Sequence, residues 1–189
     1  MTLVCGTDWF ETHLTRKQCH KEKNILFKNA TIWTNEAEGI LQNSDLIISN
    51  GKIIAIGILL NPIDYFKEEE YETIDASKLH LTSGIIDEHS HIAISRGVNE
   101  ASEAVSAEVR IGDVTNPNDH NIYRQLSGGT VVSQLLHGSA NPVGGQSAII
   151  KLRWGSSAEE MKIKNVIKKN IYCIYIRSNI LHAQLYIFI

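Results

Sequence analysis

The stretch Ser83-Gly84-Ile85-Ile86-Asp87-Glu88-His89-Ser90-His91-Ile92 constrains this chain more than any other. Ile85, Ile86 and Ile92 are β-branched and the run follows a glycine, so it reads as a short β-strand. Side chains two apart on a strand project to the same side, which groups Asp87, His89 and His91. Two imidazoles on one side of a stiff element are placed to grip one divalent metal ion. A pair of surface histidines on an edge strand would carry the same pattern, and a bare His-x-His does not separate the two.

Upstream of this stretch the sequence is punctuated for short strands. Residues 25–33 are strand-like, and the runs 45–49 and 52–56 flank Asn50-Gly51. Asn-Gly between two such runs predicts a hairpin, because a type I′ turn needs positive φ at both central residues. An acidic loop over 61–70 and a further strand over 71–75 follow. Residues 24–80 therefore read as a small β-unit, sandwich-like in its succession of short strands. Residues 1–23 lack periodicity and read as a loosely defined leader.

Downstream the pattern alternates between helix and strand. Ala101, Ala104, Val105 and Val109 have helical spacing. Asn116 and Pro117 suit the cap and first position of a helix running through Ile122, Tyr123 and Leu126 to Gly128-Gly129. Residues 130–136 form a near-continuous apolar strand, the kind buried on both faces of a parallel sheet. His137 closes it, and a glycine-rich loop leads to a strand over 148–154. Ser157 and Glu160 form a capping box that opens another helix. Strand, helix and strand in this order predict a parallel α/β structure.

Composition narrows the function. The net charge of −3, with no basic stripe, offers no electrostatic case for nucleic acid. Cys5, Cys19 and Cys173 are odd in number and far apart, which favours a reducing compartment over a disulfide framework. No signal peptide is visible at the start. The apolar end of the chain contains Arg177, His182 and Gln184 and makes a poor membrane span. The expectation is a cytoplasmic protein with a small-molecule substrate and neither a nucleic-acid nor a membrane partner.

Leu81 through His91, placed after a β-unit, resembles the start of the amidohydrolase superfamily. The runs 92–100 and 134–142 (Gln134-Leu135-Leu136-His137-Gly138-Ser139-Ala140-Asn141-Pro142) strengthen the likeness, which is greatest to imidazolonepropionase-like enzymes and covers about residues 24–164. The resemblance implies a metal-dependent hydrolase of non-peptide carbon–nitrogen bonds in a small amide or cyclic substrate, working by metal-activated water. It implies that residues 81–164 begin a (β/α)8 barrel of the TIM type. It carries two metal ligands over to His89 and His91, with zinc the preferred divalent ion. Asp87 becomes a candidate for orienting an imidazole, or else a strand-end carboxylate. His137, at the end of the second barrel strand, either faces the substrate or serves a helix-packing or loop-capping role.

Departures from the family accompany the likeness. A complete barrel takes about 250 residues. The family's later ligands (a lysine or glutamate, two histidines and an aspartate) find no positions here. Residues 165–189 stop resembling the family and read as an aberrant or truncated tail. An incomplete barrel that is inactive alone is the expectation, and a non-catalytic remnant or partner-binding fragment is the alternative.

Overall fold

In the computed structural model, which describes residues 24–67, 70–100 and 102–163, the chain opens on a long strand. The leader at 1–23 and the tail at 165–189 lie outside the described residues. Strands β1 (Asn24–Trp33), β2 (Ile40–Ser49) and β3 (Lys52–Gly57) follow one another in antiparallel pairs. Asn50 and Gly51 have φ of 48° and 69°, the positive pair that a type I′ hairpin requires. The acidic stretch holds a short helix, α1 (Ile63–Phe66), where a loop was expected. It sets Phe66 against Leu26 and Ile47, so apolar burial organises the segment. Strands β4 (Tyr71–Asp75) and β5 (His80–Leu81) return parallel to β1 on its free edge. In the turn after β4, the hydroxyl and N–H of Ser77 both donate to Asp75, holding its carboxyl below the ordinary carboxylate range.

These strands form one five-stranded sheet, not a sandwich. Both faces of this sheet carry apolar clusters, and a bulge in β1 keeps its second half packed on the first of them. Ile25 and Phe27 pack with Leu46 and Ile48 on one face, while Leu26 lies with Ile47 on the other. The register slips between Phe27 and Ala30, and Ala30 and Ile32 rejoin the first cluster despite their changed parity. Such a slip takes backbone groups out of the ladder. Here the N–H of Asn29 donates to Oδ1 of Asp45 at 2.9 Å, and the N–H of Leu60 donates to Oδ2 at 3.0 Å. Asp45 is 1% exposed, and backbone donors on both oxygens are what allow a carboxylate to sit there.

The second sheet contains β6 (Ile85–Ser90), β7 (Thr130–Leu135) and β8 (Ala148–Lys151). Helix α2 (His120–Ser127) lies between β6 and β7 in sequence, and these two strands pair in parallel. Ile122 and Leu126 of α2 pack with Leu135, Ile150, Leu152 and Met161. Strand β8 departs from the parallel pattern and runs antiparallel to β7. Residues 136–147 hold no helix that could carry the chain back across the sheet, as a parallel crossover needs. Helix α3 (Ala158–Met161) opens on the Ser157/Glu160 capping box, both of whose bonds are made.

Two expected features differ. In place of the helix expected over 100–109, residues 102–109 are irregular chain lying along the loop at 137–146. The N–H of Ser106 donates to Val143, that of Gln146 to Val109, and that of Ile111 to Gln146. Backbone groups a helix would use internally are thus committed across two loops, which overrides a modest helical spacing. Helix α2 begins three residues later than its sequence suggests, capped by Asp119 in place of Asn116. Asn116 instead turns on itself, its Oδ1 accepting the N–H of Asn118.

Candidate metal centre

Gly84 leads into β6, and its lack of a side chain decides how closely β6 meets β7. A Cβ there would lie 2.3 Å from Cγ2 of Val131, inside any tolerable contact. The pairing then slips, with Asp87 opposite Ser133 and Ser90 opposite Leu135, so three residues of β6 match two of β7. Irregularities of this kind re-aim side chains beside functional sites. Ser90 is buried, whereas His89 and His91 on either side of it are exposed. Their rings are neighbours, 5.3 Å apart between centroids and close to perpendicular at 88°.

Leu136 brackets His91. Its N–H donates to the carbonyl of Ser90 at 3.0 Å, and its own carbonyl lies 3.0 Å from Nδ1 of His91. A carbonyl can only accept, so the hydrogen of the neutral ring resides on Nδ1 and Nε2 keeps its lone pair. That support fixes tautomer and orientation in the manner of metal-ligating histidines.

Oδ1 of Asp87 accepts the backbone N–H of His89 at 3.2 Å, which shapes the strand at His89 without orienting its ring. His137 is 3% exposed and has both nitrogens engaged. Nδ1 donates to the carbonyl of Gly138 at 2.7 Å, and Nε2 accepts the N–H of Glu100 at 2.8 Å. These bonds tie the loop after β7 to the backbone at Glu100. Asn141 assists, its Nδ2 donating to the carbonyls of Glu100 and Glu103.

Among the described residues, no three His, Cys, Asp or Glu side chains converge as a metal-binding group. His89 and His91 therefore offer two nitrogen donors, against the three protein ligands and a water of a catalytic zinc site. No helix among the described residues is long and apolar enough to cross a membrane.

Comparison with known proteins gives a consistent direction. No protein-family model matches the chain. The amidohydrolase tasK of Hapsidospora irregularis is 31% identical over 150 residues, covering 68% of this chain and 15% of that protein. The crystal structure of an amidohydrolase from Thermotoga maritima MSB8 is 35% identical and superposes with a TM-score of 0.64, covering 75% of this chain and 37% of that one. The chain thus spans well under half the length of either relative. Atrazine chlorohydrolase TrzN of Arthrobacter aurescens TC1, complexed with zinc, overlaps at a TM-score of 0.32 and 27% identity over 36% of this chain and 15% of that one, too slight a likeness to bear on the site.

Proposed function

The chain belongs to the amidohydrolase superfamily, and from that premise we propose that His89 and His91 are two ligands of a hydrolytic metal centre. The reaction is hydrolysis of a carbon–nitrogen bond in a small amide or cyclic substrate. The observation that supports this most is the pairing of the two exposed rings, with the Nδ1 hydrogen of His91 committed to Leu136. The donor set suits a divalent ion, zinc by preference. When bound, such an ion acidifies its water and polarises the scissile carbonyl.

The chain's own residues do the positioning. Leu136 holds the proton on Nδ1 of His91, which leaves Nε2 as the donor. Asp87 anchors the backbone of His89. His137 and Asn141 bind the segment after residue 98 to the loop beyond β7 and hold those two loops together. The parallel β6–α2–β7 arrangement supports reading these elements as the first β/α units of a TIM-type barrel, whose sites form at strand C-terminal ends. The scattered cysteines suit a cytoplasmic setting.

With two ligands gathered among the described residues, the chain alone is proposed to bind metal weakly and to hydrolyse nothing. The test is an assay of the zinc-loaded chain on a panel of small amides and lactams, beside a His89→Ala/His91→Ala double variant. Turnover equal to that of free zinc in both samples is expected. Turnover that the double variant lacks would show that the centre is complete.

A further inference from the structure

We infer that Asp119 is a positioning residue for His91, acting as a latch on the backbone just beyond the ligand pair. The inference rests on the metal reading above and names a support which that reading does not contain. Asp119 uses both carboxylate oxygens. Oδ1 accepts the N–H of Asn121 at 2.9 Å and caps α2, while Oδ2 accepts the N–H of Ala93 at 2.7 Å. Ala93 is two residues past His91, fully buried, with φ of 55°. An alanine holds that left-handed conformation only when its surroundings impose it.

Those surroundings grip Ala93 from both sides of its backbone. Its carbonyl accepts the N–H of Asn116 at 2.7 Å while its N–H is taken by Asp119. Its methyl group packs in the cluster containing Ile122 and Leu126. His91 is therefore held twice, its ring by Leu136 and its backbone through Ala93. If Asp119 releases Ala93, the left-handed turn has less to sustain it. The ring then loses its fixed relation to Leu136 and to His89. Supports of metal-ligating histidines act through such small displacements.

Asp119→Ser separates the two duties, because a serine hydroxyl can still cap α2 but offers no second oxygen to Ala93. Asp119→Asn, with one carbonyl oxygen and neutral like the serine variant, serves as a second variant. Zinc affinity is expected to fall about tenfold, the lower end of what metal-site supports cost. In the metal-free chain, exchange of the Ala93 amide hydrogen should accelerate. The imidazole 15N signals of His91 should move from one tautomer toward a mixture, a change that loss of helix stability alone does not produce. The His89→Ala/His91→Ala double variant separates the two levels of inference. If it binds zinc as the unmodified chain does, the metal reading fails. If it loses zinc, while a variant with an unprotected Ala93 amide keeps full zinc affinity, the latch is overturned and the metal reading stands.

Discussion

His91 is fastened to the neighbouring strand end by a single backbone group: its Nδ1–H donates to the carbonyl of Leu136 at 3.0 Å. The N–H of the same leucine donates to the carbonyl of Ser90 at 3.0 Å, so one residue fixes both the His91 ring and the backbone beside it. The bond to the ring holds the hydrogen on Nδ1 and leaves Nε2 with its lone pair.

Gly84→Ala should destabilise the chain through the contact between β6 and β7. The added methyl group would meet Val131 at 2.3 Å, and overpacking of this kind costs about 1–3 kcal/mol. Val131→Ala in the same chain should recover part of the loss, because the two positions share one contact. Urea denaturation of the two single variants and the double variant measures this, and strict additivity would refute the contact as the cause.

Asp45→Ala should cost more than most substitutions in the first sheet. It takes the acceptor from the N–H groups of Asn29 and Leu60, each bond being worth about 1 kcal/mol because these donors are only partly buried. Asp45→Asn keeps one accepting oxygen and should fall between the two. Equal stability of the alanine and asparagine variants would contradict this role.

His137→Ala should loosen the loops and spare the metal. The amide of Glu100 loses its acceptor, so its hydrogen exchange should speed up. Zinc affinity should stay unchanged because neither nitrogen of His137 is directed to a ligand position. A large loss of zinc affinity would return His137 to the site.

Much of the frame was legible in local signals. The Asn50-Gly51 turn and the Ser157/Glu160 capping box are set by residues within four positions of each other, and both have the expected geometry. The adjacency of His89 and His91 follows from strand alternation, although a register slip lies beside it. What the sequence concealed depends on distant partners. The segment 100–109 has helical spacing, but its backbone bonds are spent on residues 143 and 146. The bond from His91 to Leu136 ends on a backbone carbonyl, which no residue type announces. No sequence signal marks the second oxygen of Asp119, whose partner is Ala93, 26 residues earlier. The antiparallel course of β8 follows from the loop before it being tied to another loop.

Zinc titration of the full chain beside His89→Ala and His91→Ala tests the pairing of the two rings most directly. Each single substitution removes one of two donors, so affinity should fall about tenfold or more in either, and the double variant should bind no zinc above background. Equal zinc binding by the unmodified chain and the double variant would contradict a metal centre at these histidines.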